Sequence, residues 1–240
     1  MIEPGNRKRS WSVSRIVSIP ILLLGLLSGS TYGLSQNRQN GEVTDLREVS
    51  FLTSDGGRVF AAIRGSGEHA VVLAHGAVFN KESWAEQSEL LVENGFRVLA
   101  IDFRGYGKSQ AGSKGKALHL DVLAAVRYLH DLGAKQVSVV GGSMGGGAAA
   151  LATAESKAGE IDHLILLAHS PIRRPQDLKG NKLFIVSAGD RLSRSVKQQY
   201  EDAPQPKKLV VLDGNAHAQH IFRTDRADEL TKLIVDWLSP

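Results

Sequence analysis

Gly141-Gly142-Ser143-Met144-Gly145 sets one hydroxyl group among three glycines and a methionine. The apolar, β-branched run Val137-Ser138-Val139-Val140 precedes it and Ala148-Ala149-Ala150-Leu151-Ala152 follows. The G-x-S-x-G pattern therefore falls between a buried strand and a helix, the context that gives it chemical meaning. A sharp strand-to-helix turn strains the serine backbone, and neighbours without a Cβ let the two elements close on each other. The serine oxygen then stands clear of the sheet edge. The Met144 N–H faces the same space, with the positive end of a helix behind it.

A serine hydroxyl is a weak nucleophile until a neutral imidazole takes its proton. The imidazole in turn needs a buried carboxylate to fix its tautomer and stabilise its charged form. Two further strand ends supply these groups: the run 182–186 leads into Ser187-Ala188-Gly189-Asp190, and the run 209–212 into Asp213-Gly214-Asn215-Ala216-His217. Ser143, Asp190 and His217 are the candidate nucleophile, acid and base. His220 is the alternative base. Asp102 and Asp213 are the alternative acids, although Asp102 is expected to order the turn at Arg104, and Asp213 to cap the turn it begins. The oxyanion formed on attack needs two preorganised N–H donors. Met144 N–H is one, and the loop after His75-Gly76 offers the other, with Ala77 N–H as the candidate. His75 is expected to fix that loop. His119, His130, His163 and His169 are expected to be surface or satisfied core residues. No His/Asp/Glu spacing suits a metal ion, the glycines do not follow G-x-x-x-x-G-K-[ST], and the chemistry calls for no cofactor.

These groups need a scaffold that ends several strands on one edge. Residues 49–52 and 59–63 read as two strands joined by a turn at Asp55-Gly56-Gly57. Continuous apolar runs at 70–74, 97–101 and 137–140 read as buried strands, and 164–167, 182–186 and 209–212 as three more strands. Helical spacing covers 83–94, 118–132, the segment from the Ser143 turn to about 158, a stretch near 192–200, and 225–238. A hairpin followed by alternating strand and helix predicts an α/β fold: a mostly parallel central sheet with an N-terminal antiparallel hairpin and helices on both faces. Ligand sites in such sheets lie at the carboxyl ends of the strands.

The order of strand–His75-Gly76, strand–Asp102-x-Arg104-Gly105-x-Gly107-x-Ser109, strand–Gly141-x-Ser143-x-Gly145-Gly146, strand–Asp190 and strand–His217 resembles the α/β-hydrolase superfamily over residues 47–240. The resemblance implies a serine hydrolase, carboxylesterase-like, that cleaves a small-molecule acyl substrate through an acyl-enzyme. It implies Ser143 as nucleophile, His217 as base and Asp190 as acid, with the Ala77 and Met144 amides as oxyanion hole. A thioesterase or peptidase using the same triad is the alternative, as is a catalytically silent binding protein with this fold. In similar proteins the Arg104-Gly105-x-Gly107 turn is structural and packs beside the serine turn. Many relatives insert a lid after the strand equivalent to 164–167. Here about a dozen residues, 170–181, bridge to the next strand, too few for a cap domain, so the site is expected to be open and shallow. Arg173-Arg174 on its rim are expected to be a solvated pair. Ala218 follows His217 where the family often has glycine.

Composition sets the outer bounds. In 240 residues, 42% are apolar and 22% charged, values of one globular domain with or without a leader. There is no cysteine, which excludes disulfides, thiolate metal sites and a thiol nucleophile. Of the formal charge of +4, residues 1–33 carry +3 (Arg7, Lys8, Arg9 and Arg15 against Glu3), leaving +1 for the rest. The basic character belongs to the N-terminus, which gives no sign of nucleic-acid binding. Residues 1–34 run from basic to apolar to small, the order of a signal peptide or an N-terminal membrane anchor. Residues 35–46 read as a linker and 47–240 as the hydrolase-like domain. That arrangement predicts export, whether secreted, periplasmic or anchored with the domain facing outward.

Overall fold

A computed structural model describes residues 46–239. The signal-peptide or anchor segment at 1–34 and nearly all of the linker lie outside the described residues. Among the described residues no helix is long and apolar enough to cross a membrane.

Eight strands form one sheet: β1 (Arg47–Leu52), β2 (Arg58–Arg64), β3 (His69–Ala74), β4 (Arg97–Ile101), β5 (Gln136–Gly142), β6 (His163–Leu167), β7 (Asn181–Ser187) and β8 (Lys207–Leu212). Their order is β1-β2-β4-β3-β5-β6-β7-β8. β2 runs antiparallel to both of its neighbours, and every pairing from β4 to β8 is parallel. Past its first residue β3 is wholly buried, as are β6 and β7 past theirs, and so are the last six residues of β5. This is why these segments read as unbroken apolar runs and not as alternating ones. β1, at the sheet edge, buries only Phe51.

Five α-helices cover the sheet: α1 (Ala85–Glu93), α2 (His119–Asp131), α3 (Met144–Glu155), α4 (Ser193–Asp202) and α5 (Ala227–Leu238). α1 and α5 share one face, where Leu91, Ile234 and Val235 meet Leu73 and Val140. α2 packs against α3. α3 is built almost wholly from small residues (Met-Gly-Gly-Gly-Ala-Ala-Ala), so its backbone can approach the sheet closely. A Cβ placed on Gly145 would lie 2.3 Å from the Ala74 carbonyl oxygen, and one on Gly141 2.6 Å from the Gly145 carbonyl oxygen.

Three expectations need correction. The segment expected to begin a helix at 83 opens with a 3-10 turn, Lys81–Trp84, whose start is capped by the Asn80 side chain accepting from Ser83 N–H; the α-helix follows at Ala85. α3 stops at Glu155 and not near 158, because Ser156 is extended (φ −67°, ψ 164°). Strand and helix do not alternate strictly: β6 and β7 are joined by residues 168–180 with only a 3-10 turn, Pro175–Asp177. Pro171 has no N–H for a helical hydrogen bond, and Pro175 opens the 3-10 turn at its first position, where proline is tolerated.

Beneath the β1–β2 hairpin lies a saturated charge cluster. Arg104 donates through both terminal nitrogens to Asp55 (2.9 and 3.1 Å), through Nε to Asp121 (2.9 Å), and through Nη1 to the Gly115 carbonyl (2.9 Å). The Arg104 backbone N–H also donates to Asp121 (2.9 Å). The three side chains are at most 2% exposed. The Arg104 guanidinium, followed by the Thr53 hydroxyl, holds the Asp55 carboxyl well below its usual range. Asp102 therefore does not order Arg104 as expected. Its carboxylate instead accepts from the Lys81 backbone N–H (2.8 Å) and Nζ (2.7 Å), because Asp102 ends β4 beside the 3-10 turn that carries Lys81.

Candidate active site

The chain steps from β3 to β4 on one side of β3, then to β5 on the other. The sheet order thus reverses between β3 and β5, where a crevice opens beyond the strand ends. Ser143 ends β5 there, and the 75–79 loop ends β3.

Ser143 has φ 50° and ψ −111°, a conformation that a non-glycine residue holds only when its surroundings impose it. The restraint is visible. Ser143 N–H donates to the Leu167 carbonyl (2.9 Å), and the Ser143 carbonyl accepts from Ser170 N–H (2.9 Å) and Gly147 N–H (3.1 Å). Gly146 packs so tightly on His169 that a Cβ there would lie 2.7 Å from the His169 Cβ.

His217 joins the other two groups. Its Nε2 lies 2.8 Å from Ser143 Oγ and its Nδ1 2.7 Å from Asp190 Oδ2. A proton on Nδ1, donated to the carboxylate, leaves Nε2 to accept from the serine hydroxyl. The Asp190 side chain is fully buried, whereas that of His217 keeps 26% of its surface. The acid is further held by Leu192 N–H, which donates to Asp190 Oδ1 (2.7 Å). Ser187 Oγ donates to the Ala216 carbonyl (2.7 Å) and ties the end of β7 to the histidine turn. Ala218 takes φ 48°, the left-handed conformation for which glycine is the easier choice.

The alternatives fall elsewhere. His220 packs its ring on Phe79 (centroids 4.9 Å apart). Asp213 is exposed, with Arg226 at 3.4 Å, and caps no turn. Asp102 belongs to Lys81.

The loop after β3 is fixed residue by residue. His75 Nε2 accepts from Phe103 N–H (3.2 Å), so Nδ1 carries the proton and donates to the Gly76 carbonyl (2.8 Å). Burial lowers the pKa of His75, which keeps the ring neutral for both bonds. Phe79 N–H donates to the same carbonyl (3.0 Å), closing a turn over 76–79. Tyr106 Oη donates to the Ala77 carbonyl (2.9 Å) and lies 3.7 Å from Met144 Sδ, bridging the two candidate oxyanion residues. Neither Tyr106 nor Gln219, whose amide reaches Gly76, was singled out from the sequence; each contact joins residues far apart in the chain. His169, expected to be surface or satisfied core, is buried with its Nε2 unpartnered.

Among the described residues no inserted domain caps the site. Val78 is 79% exposed beside Ala77. A groove of about 580 Å³, lined by Gly147, Leu151, Ala154, Pro171 and Ile172, runs along α3 from one turn beyond Ser143. Arg173 and Arg174 edge it and are exposed; Arg174 pairs with Asp177 at 3.0 Å. Among the described residues no group of three or more His, Asp or Glu side chains is placed to hold a metal ion.

A largely parallel sheet with a strained serine at its reversal point and a histidine within reach defines an α/β-hydrolase fold. The family model described as an alpha/beta hydrolase fold matches residues 69–179, and the sheet and helices have the α/β-hydrolase arrangement. It is 33% identical over 124 residues to a non-heme haloperoxidase of Rhodococcus erythropolis, covering 51% of this chain and 45% of that protein. It is 39% identical over 97 residues to a bifunctional epoxide hydrolase 2 of Sus scrofa, covering 40% of this chain and 17% of that protein. The matched region thus spans less than half the length of these curated relatives. Among solved structures, an esterase of Pyrococcus furiosus superposes with a TM-score of 0.69 at 23% identity, covering 81% of this chain and 92% of that one.

Proposed function

We propose that this protein is a serine hydrolase that cleaves carboxylic esters through an acyl-enzyme. The observation that carries the proposal is the continuous line of hydrogen bonds from Ser143 Oγ through His217 to the buried Asp190. Ser143 attacks the ester carbonyl while His217 Nε2 takes its proton. Asp190 holds the resulting imidazolium. Met144 N–H, at the start of α3 with no intrahelical partner, and Ala77 N–H receive the oxyanion. His217 returns the proton to the departing alcohol. It then activates a water that releases the acid, so every proton is returned and no cofactor is consumed. The uncapped crevice supports acyl groups on varied alcohols, and the same groups would also serve a thioester or an amide. The basic-to-apolar order of residues 1–34 supports export of the domain, which N-terminal sequencing of the extracytoplasmic protein tests.

The enzyme reading is tested with p-nitrophenyl esters and a fluorophosphonate probe. Wild type is expected to turn over the ester and to be labelled at Ser143. Ser143→Ala is expected to lose at least about four orders of magnitude in kcat and all labelling. A folded wild type that does neither is a silent binding protein.

A further inference from the structure

We infer that Gln219 is a positioning residue of the oxyanion hole, and that the turn carrying the base also fastens the loop that receives the substrate oxygen. This rests on the serine-hydrolase reading above and deepens it. Gln219 is 4% exposed and lies two residues beyond His217. Its Oε1 accepts from Gly76 N–H at 2.7 Å, and its Nε2 donates to Ser83 Oγ at 3.0 Å. It fills the space left by two glycines: a Cβ on Gly142 would lie 3.3 Å from its Cγ and Oε1, and one on Gly76 3.6 Å from its Oε1. Gln219 thus sits where the ends of β3 and β5 meet the histidine turn.

The consequence follows from peptide geometry. The Gly76 carbonyl is held on one side by His75 Nδ1 and Phe79 N–H. In a trans peptide the Ala77 N–H points opposite to that carbonyl, so whatever fixes the Gly76–Ala77 plane aims the Ala77 donor. Gly76 is the flexible point in that linkage, and its own N–H is the one group on it that Gln219 restrains. Occupied by Gln219, the Gly76 amide is also removed from the set facing the substrate, which leaves Ala77 and Met144. The left-handed Ala218 is what turns His217 toward Ser143 and Gln219 toward Gly76 within three residues.

The test uses the full chain, a short p-nitrophenyl ester, and an alkylboronic acid whose tetrahedral adduct on Ser143 fills the oxyanion hole. Gln219→Met keeps the length and loses both polar contacts. It is expected to lower kcat by about 10–100-fold and to weaken the boronate by a similar factor, with KM within about 2-fold. The acidic limb of the pH–rate profile should not move, because the His217–Asp190 pair is untouched. Gln219→Glu keeps the acceptor for Gly76 N–H and is expected to recover most of the lost rate. Ser83→Ala removes the far anchor, together with the bond that Ser83 Oγ donates to the Asn80 carbonyl, and should shift kcat and boronate affinity together by a few fold; it decides the matter if Gln219→Met does not fold. Wild-type kcat and boronate affinity in Gln219→Met, or in Ser83→Ala if that variant must serve, overturn the inference. So does a rate loss that carries the acidic limb with it, since Gln219 would then act through His217. A wild type inert toward ester and fluorophosphonate defeats the hydrolase reading itself, before any Gln219 variant is compared.

Discussion

Two charged constellations in this molecule use similar residue types to opposite ends. Around Arg104, two carboxylates, a carbonyl and a guanidinium satisfy one another with almost no exposed surface. Around Ser143, the carboxylate is equally buried, but the imidazole keeps part of its surface and the serine oxygen stands at an open crevice. The first cluster is saturated and can only hold elements together. The second is held rigid from behind and left incomplete in front, and incompleteness is what a reacting carbonyl needs. Buried charge by itself therefore does not mark a working site; a free valence on a fixed frame does.

Substitutions can separate the two roles. Asp190→Asn keeps the shape of the side chain but allows the wrong imidazole tautomer. Its kcat should fall by about 10⁴-fold with little change in melting temperature, read by ester turnover and thermal unfolding. Asp121→Ala should do the reverse: leaving Arg104 buried without one of its two carboxylates costs about 3–5 kcal/mol, read by urea unfolding, while molecules still folded keep their turnover. A stable Asp121→Ala protein would show that the cluster is not a structural anchor.

Acidity sharpens the contrast further. His69, His75 and His169 all have lowered pKa values, each chiefly from burial. In each case the unfolded chain binds a proton near pH 6.5 that the folded chain refuses. Stability should therefore be fully present above about pH 6.5 and fall as pH drops below it, by up to about 1.4 kcal/mol per pH unit for each histidine. His169→Gln should flatten that slope by one proton's worth. Denaturant titrations at a series of pH values measure both effects.

The sequence disclosed the strands because five of them are buried on both faces and read as apolar runs. It disclosed the three candidate catalytic groups because each sits just past an apolar run, Ser143 and Asp190 after buried strands and His217 after the partly exposed β8. It could not disclose which polar groups meet across the fold. Arg104 finds Asp55 across 49 positions and Asp121 across 17, and Gly76 finds Gln219 across 143. Periodicity tells which face a side chain takes, not which partner waits on another element. That is why the sequence pairs Asp102 with the neighbouring arginine, although Lys81, 21 residues back, holds it. The missing helix between β6 and β7 has a similar cause. Alternation suggests one, but the segment closes only the 3-10 turn that Pro175 opens.

That short crossing from β6 to β7 has a kinetic consequence. With only residues 168–180 between the strands, the described fold carries no flap that must swing aside before a substrate enters or a product leaves. Turnover should then be insensitive to solvent viscosity for slowly reacting esters, and its pace set by bond making and breaking at Ser143.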